Sequence, residues 1–283
     1  MVKKLLTFIG LFLLITLVSP VSASSQRQVA PLDTAGTHQT PYLPWQADNS
    51  PIISLGAAVD PSSGKVVEGY AFVHPKNAPA KPPWAGGNSG ATKCYGFLAK
   101  SAKWKTIESW FVNSSNSRGL TGGFVLNNLG DDIAKWEDAA DGTVGDVGSI
   151  NILGNGFSTS AALVADTISP DGNNEVYFAD ISSSNAIAVT IIWGIFGGPP
   201  AGRELVEWDQ IYDDVDFDWS SSGEGGKMDF ENIATHELGH SVGLGDLYDS
   251  NCSEQTMYGY ASYGETKKQT LESGDIAGIS TLY

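Results

Sequence analysis

The chain has 283 residues, of which 41% are hydrophobic and 10% aromatic, a composition that supports a buried core and excludes a largely disordered protein. It carries 16 basic and 32 acidic residues, a formal net charge of −16. We therefore expect no nucleic-acid partner and no attraction to anionic membranes. The 33 glycines favour a protein rich in strands and loops, with few helices.

The first 23 residues have the pattern of a secretory signal peptide. Lys3 and Lys4 precede an almost wholly apolar run at residues 5–18, and Val21-Ser22-Ala23 is a small-x-small cleavage site. An uncleaved anchor is the alternative, but the run is short for a bilayer span of about 20 residues. The pattern predicts a secreted, extracellular protein with no stable membrane insertion after removal of residues 1–23.

Residues 24–90 are rich in Pro, Ser, Gly and Asn, which indicates loops or linkers. Only residues 65–74, with the sequence KVVEGYAFVH, have the pattern of a strand. We interpret residues 24–90 as a propeptide-like or accessory segment, and its histidines, His38 and His74, as surface residues. Residues 91–283 then form the main folded domain.

Strand patterns and helical periodicities alternate within this domain. Apolar runs predict strands at residues 106–112, 149–153, 175–181, 186–196 and 204–212. Helical spacing predicts helices over residues 122–140, from residue 229 through 240 with an end near Gly243, and from Ser273 onward.

The second predicted helix contains His236-Glu237-Leu238-Gly239-His240, the pattern H-E-x-x-H. Positions i and i+4 lie on one helical face about one turn apart, so two imidazoles there can bind one zinc ion. Glu237 can then reach a water molecule on the metal. Taken alone, the motif leaves open an ordinary helix with two surface histidines.

The residues after the motif strengthen the metal interpretation. Gly243 can end the helix and turn the chain sharply, because glycine tolerates positive φ. Such a turn can bring Asp246 back to the metal as a third ligand, and Asp249 is a weaker candidate. Three protein ligands and one open position are typical of a catalytic zinc site rather than a structural one.

The full string H-E-x-x-H-x-x-G-x-x-D resembles the metzincin metallopeptidases, which usually have histidine in the last position. Asp246 in that position is similar to the snapalysin-type enzymes. Residues 255–259, Gln-Thr-Met-Tyr-Gly, resemble the metzincin Met-turn, which places Met257 beneath the metal. Residues 273–283 resemble the C-terminal helix of matrixins.

The resemblance implies an α+β fold: a zincin-like metzincin catalytic domain at residues 91–283, with a twisted mixed sheet, a backing helix, an active-site helix, a Met-turn and a C-terminal helix. It implies one catalytic Zn²⁺ on His236, His240 and Asp246. The implied activity is a secreted endopeptidase that hydrolyses protein or peptide substrates through a zinc-bound water, with Glu237 as general base. The alternative is a secreted binding protein that keeps zinc without turnover, but a structural site needs no general base.

Three further expectations concern substrate, cysteines and calcium. Residues 186–196 lie where metzincins place their edge strand, so we expect an extended peptide to pair there, with residues 258–260 beside its side-chain pocket.

We expect the two cysteines, Cys94 and Cys252, to form a disulfide in an oxidising compartment. A cysteine switch is the alternative, but the Pro-Arg-Cys-Gly signature is missing around Cys94.

Calcium is a further candidate cofactor. Residues 169–175 and 213–218 are rich in oxygen-bearing side chains, although neither segment has EF-hand spacing. Matrixins commonly bind structural calcium, whereas solvated acidic loops are the simpler interpretation. The sequence does not indicate an oligomeric state.

Overall fold

The computed structural model describes residues 40–44, 50–76, 93–146 and 148–283. The predicted signal peptide and His38 lie outside these residues. Within them, no helix is both long enough and apolar enough to cross a membrane.

The described residues form nine strands and three α-helices. In chain order they are β1 (Ile52–Val59), β2 (Val66–Pro75), β3 (Trp110–Asn113), α1 (Gly122–Ala139), β4 (Gly156–Ser158), β5 (Asn174–Ala179), β6 (Ala186–Ile195), β7 (Glu204–Asp213), β8 (Trp219–Ser220), β9 (Met228–Asp229), α2 (Phe230–Ser241) and α3 (Ser273–Leu282). This α+β composition is the one expected for a metzincin domain.

Seven strands build one mixed sheet in the order β1-β2-β6-β7-β5-β3-β4. Strands β7, β5, β3 and β4 run parallel, whereas β6 is antiparallel to β7, β2 to β6 and β1 to β2. Helices α1 and α2 pack on one face of this sheet, in a core that includes Trp136, Trp208 and Phe230. A second core, around Tyr177 and Trp193, fills the other face.

Each helix begins at a side chain that accepts a backbone hydrogen bond. Thr121 accepts from Phe124 N at the start of α1, and Asp229 accepts from Asn232 N at the start of α2. In α3, Glu272 begins a capping box with a carboxylate three residues later. The three helices predicted from helical spacing are confirmed, and these caps define where each one begins.

Most predicted strands are confirmed, and one is wrong. The strands predicted at 175–181, 186–196 and 204–212 are β5, β6 and β7, and the strand predicted at 106–112 begins later, at Trp110. Residues 149–153 form no strand. The amides of Ile152 and Leu153 donate to Glu137 Oε1 in α1, at 2.7 and 2.9 Å, so a side chain replaces a neighbouring strand as their partner.

The N-terminal segment contributes two strands to the sheet, where its sequence predicts one. In β1, pairing with β2 is interrupted between Ser54 and Gly56, and Gly56 has a φ of +88°. This irregularity breaks the strand pattern in the sequence. Strand β2 is the predicted strand, and it is buried on both faces, with Ala71 in the second core and Phe72 in the first.

The expectation of a free edge on β6 is wrong. Strand β2 pairs with β6 along its length, from Glu68 opposite Gly194 to Pro75 opposite Ala186. The surface assignment of His74 is also wrong, since His74 is only 2% exposed. Both errors arise because β2 lies over the active-site helix.

Candidate active site

Helix α2 brings its two histidines onto one face and then ends in a tight turn. His236 and His240 are both buried, and their rings meet edge to face with centroids 5.0 Å apart. The turn is made by Gly243, whose φ is +108°. Its amide donates to the carbonyl of His240 at 2.9 Å, and Leu244 N donates to Gly239 O at 2.9 Å.

The outer nitrogen of each histidine is fixed by a backbone carbonyl. Nδ1 of His236 lies 2.7 Å from Thr256 O, and Nδ1 of His240 lies 2.9 Å from Leu244 O. Because a carbonyl only accepts, each Nδ1 carries the proton. In its neutral form each ring therefore presents the lone pair of Nε2 on its other side, as metal-ligating histidines do.

Both lone pairs face one carboxylate oxygen. Asp246 Oδ1 lies 3.2 Å from His236 Nε2 and 3.4 Å from His240 Nε2. Burial by itself raises the pKa of Asp246, but positive charge and hydrogen-bond donation from the imidazoles, the role that a metal cation would take, hold it well below its usual range. Its second oxygen, Oδ2, accepts a hydrogen bond from Tyr248 Oη at 2.8 Å, which fixes the orientation of the carboxylate.

This donor set fits a zinc ion. A tetrahedral zinc with bonds of about 2.0–2.1 Å separates its ligand atoms by about 3.3 Å. The two nitrogen–oxygen distances of 3.2 and 3.4 Å are close to this value. His236 Nε2 is a buried polar atom with no hydrogen-bond partner. Asp249, the weaker sequence candidate, lies outside the group and instead caps a short 3₁₀ turn by accepting from Asn251 N.

Glu237 lies beside the group and is fully buried. Thr190 of β6 donates from Oγ1 to Glu237 Oε2 at 2.6 Å. His74 of β2 holds the other oxygen, with Nδ1 at 3.0 Å from Oε1. Burial raises the pKa of Glu237 to about 7. A carboxylate with that pKa is suited to exchanging protons near neutral pH.

Two further buried residues lie at this site, His74 and Lys268, and neither is predicted there from the sequence. Lys268 Nζ donates to Tyr258 O and lies 3.3 Å from His74 Nε2. Burial lowers the pKa of Lys268 to about 8 and lowers that of His74 well below its usual value. The isolated positions of the two residues carry no motif that would reveal them.

The Met-turn lies beneath the histidines, as its sequence predicts. Met257 is buried, and its Sδ packs so closely on Gly239 of α2 that any side chain at that position would collide with it. Asp275 of α3 holds the turn by accepting from Thr256 N at 2.8 Å and from Met257 N at 3.2 Å. The C-terminal helix thus positions the floor of the site.

The predicted disulfide between Cys94 and Cys252 is confirmed. It links the first described residues after β2 to the loop between Asp246 and Met257. The neighbouring segment also pairs with the helix turn, where Leu98 N donates to Gly243 O and Gly245 N donates to Gly96 O, both at 3.0 Å. The disulfide and this backbone pairing together stabilise the turn that carries Asp246.

A cleft of about 350 Å³ opens next to Asp246. Its walls are mostly apolar and come from β1 and β2, the chain after Cys94, the end of β6 and the turn after α2: Ile52, Tyr70, Phe72, Gly96, Phe97, Leu98, Phe196, Gly245 and Asp246. The side-chain pocket expected beside residues 258–260 stays a prediction.

The acidic segments assemble into two groups remote from the histidines. Asp171 lies with Asp166 and Glu207, and Asp213 and Asp216 lie with Asp180. In the first group, burial and then neighbouring carboxylates raise the pKa of Glu207 to about 12. Oxygen-only donor sets of this kind suit calcium, which remains a prediction for this chain.

Comparison with known proteins agrees with this geometry. The Matrixin family profile matches residues 201–283, which include β7, α2, the Met-turn and α3. The matched region carries the proposed site, and its similarity supports a matrixin-like metzincin there.

Among individual relatives, the Metalloendoproteinase 2-MMP of Arabidopsis thaliana is 29% identical over 177 residues, which cover 59% of this chain and 42% of the plant protein. Matrilysins of Rattus norvegicus and Homo sapiens are 40% and 39% identical over 70 residues, 25% of this chain and of each relative. The matched part thus spans less than half of each relative.

Proposed function

We propose that this protein is a secreted zinc-dependent endopeptidase that hydrolyses protein or peptide substrates. His236, His240 and Asp246 hold the metal, and Glu237 is the general base. One observation carries the proposal: two Nε2 lone pairs and a carboxylate oxygen meet at zinc-ligand spacing, with a buried carboxylate on the next residue of the helix. The similarity to metalloendoproteinases supports it.

A zinc ion held by His236, His240 and Asp246 would lower the pKa of a water molecule and polarise a substrate carbonyl. The protein supplies the proton transfer. Glu237 accepts a proton from the attacking water and then delivers it to the leaving amine. Thr190 keeps Oε2 fixed through its hydrogen bond, so the proton is exchanged at Oε1.

The alternative is a secreted binding protein that retains zinc without turnover. Metal analysis of the purified protein, together with an assay of casein hydrolysis, separates the two functions. We expect one zinc per chain, hydrolysis that stops when a chelator removes the zinc, and recovery when zinc is restored. Stoichiometric zinc without any hydrolysis, in protein freed of the hairpin discussed below, would favour the binding protein.

A further inference from the structure

The proposed metal and catalytic groups are almost wholly buried in this structure. His236 and Glu237 are 0% exposed, His240 is 1% exposed and the Asp246 side chain is 5% exposed. An endopeptidase must bring a polypeptide into contact with these groups. Some element that covers them must therefore move before turnover.

The covering element is β2. Its residues Phe72 and His74 point toward α2, since alternate residues of a strand face the same side. The Phe72 ring stacks on His240 with centroids 4.8 Å apart and an interplanar angle of 25°. The His74 ring meets His236 with centroids 4.1 Å apart. The two rings therefore pack directly on both proposed histidine ligands.

The same strand is hydrogen-bonded to the backbone of β6. Pairing extends from Glu68 opposite Gly194 to Pro75 opposite Ala186. An extended peptide binds a sheet edge through main-chain hydrogen bonds, and β2 already takes that position on β6. A substrate that uses this edge must compete with β2.

His74 also engages the proposed general base. A carboxylate only accepts hydrogen bonds, so His74 Nδ1 donates to Glu237 Oε1 over 3.0 Å. His74 Nε2 then carries a lone pair toward the ammonium group of Lys268, at 3.3 Å. In this arrangement His74 occupies a hydrogen-bonding position on Oε1, the oxygen left free by Thr190, and so competes there with water.

The β1–β2 hairpin can leave without breaking the backbone pairing among the other strands. It lies at one end of the sheet, and among the described strands β2 forms backbone hydrogen bonds with β1 and β6. The chain between Pro75 and Cys94 joins it to the rest, and the Cys94–Cys252 disulfide anchors the far side of that connection. A single backbone cut there would separate the hairpin from the disulfide-linked domain.

We propose that the β1–β2 hairpin is an internal inhibitor, which blocks the peptide-binding edge of β6 and sequesters Glu237 through His74. The proposal rests on the proposed function. The competing account makes His74 a permanent positioning residue that holds Glu237 for catalysis. The two accounts predict opposite signs for the effect of removing the imidazole.

The first experiment replaces residues 80–86 with the recognition sequence of a site-specific protease in the full chain. Before cutting, we expect slow casein hydrolysis. After cutting, the hairpin becomes a separate molecule and loses its millimolar effective concentration, so kcat/KM should rise at least about tenfold as the fragment dissociates. Gel filtration should show the released fragment, and amides of β6 should exchange faster with deuterium.

The second experiment tests His74 in the uncut chain. His74→Ala should increase casein hydrolysis, whereas Val66→Ala, at the exposed start of β2, should leave it unchanged. A synthetic peptide of residues 65–76 should inhibit the cut protein, and the same peptide with His74→Ala should inhibit it less. Fluorescence anisotropy of the labelled peptides measures the same difference without an activity assay.

The outcomes separate the two proposals. Equal hydrolysis before and after release of the fragment, or a loss of activity in uncut His74→Ala, would overturn the inhibitor. If the peptide binds and protects the β6 amides while the zinc-loaded, cut protein hydrolyses nothing, hairpin docking stands and the endopeptidase is refuted.

Discussion

Tyr248 donates a hydrogen bond to Asp246 Oδ2 at 2.8 Å, while Asp246 Oδ1 faces both histidines. The phenol therefore fixes the rotation of the proposed third ligand. Loss of such an outer partner typically weakens metal affinity by about 10- to 100-fold. We expect Tyr248→Phe to raise the zinc dissociation constant by that factor, as measured by competition with a zinc indicator.

The matched control is Tyr42→Phe, because Tyr42 is 78% exposed. It should leave zinc affinity at the wild-type value. Equal affinity in Tyr248→Phe and the wild type would show that the hydrogen bond does not orient the ligand.

The third ligand is tested by a pair of aspartates. Asp246→Ala removes the oxygen that faces both imidazoles, so the purified variant should contain little zinc and hydrolyse no casein. Asp249→Ala removes only the cap of a 3₁₀ turn. It should keep its zinc and lose about 1 kcal/mol or less of the free energy of unfolding. If Asp249→Ala lost more zinc than Asp246→Ala, Asp249 rather than Asp246 would be the third ligand.

The turn after α2 depends on a conformation that favours glycine. Gly243 has a φ of +108°, and a Cβ there would lie 2.8 Å from Leu282 Cδ2 and 3.1 Å from Ala102 O. We expect Gly243→Ala to reduce the free energy of unfolding by about 1–3 kcal/mol from strain alone, with further loss from the collisions. Urea denaturation of the zinc-free protein measures this.

Gly130→Ala is the control for that substitution. Gly130 lies inside α1, and a Cβ at that position meets no atom within 4 Å. Alanine there should stabilise the protein by about 1 kcal/mol, because glycine is a poor helix former. If both variants changed the free energy of unfolding by a similar amount, the turn at Gly243 would not require glycine.

The acidic group on β5 and β7 makes stability depend on pH. Burial, followed by neighbouring carboxylates, raises the pKa of Asp166 to about 6 and of Glu175 to about 8. The folded state thus binds more protons than the unfolded state above about pH 4, the ordinary carboxyl value. In chelator, the melting temperature should therefore fall as pH rises from 5 to 8.

Two comparisons test this account of the acidic group. Glu207→Gln removes one of the crowded carboxylates and should reduce the pH dependence. If calcium binds there, millimolar calcium should also reduce it, because the cation replaces the protons. A melting temperature that rises over the same pH range in chelator would contradict the account.

The sequence alone predicts those residues of the proposed site that are close together in the chain. His236, His240 and Asp246 follow from helical spacing and one glycine turn, and Met257 follows from the Met-turn resemblance. His74 is different: it is 163 residues from Glu237 and meets it only because β2 pairs with β6. Its strand pattern was visible in the sequence, but its position over the active-site helix was not.

Contacts between distant segments also explain why the structure differs from the prediction at residues 149–153 and at Lys268. Residues 149–153 have a strand-like apolar pattern, yet the carboxylate of Glu137 binds their amides from α1. Lys268 follows Lys267 in a polar stretch, and only the tertiary structure buries it. Contacts between distant segments decide both cases, and local propensity carries no information about them.

Replacement of Glu237 by glutamine tests the central claim most directly. Glu237→Gln keeps the shape of the side chain but removes its ability to accept a proton. In the protein cut after β2 and freed of the hairpin, zinc content should remain at one per chain. Casein hydrolysis should fall by about two to four orders of magnitude relative to the cut wild type. Near-wild-type hydrolysis by the zinc-loaded variant would contradict Glu237 as general base.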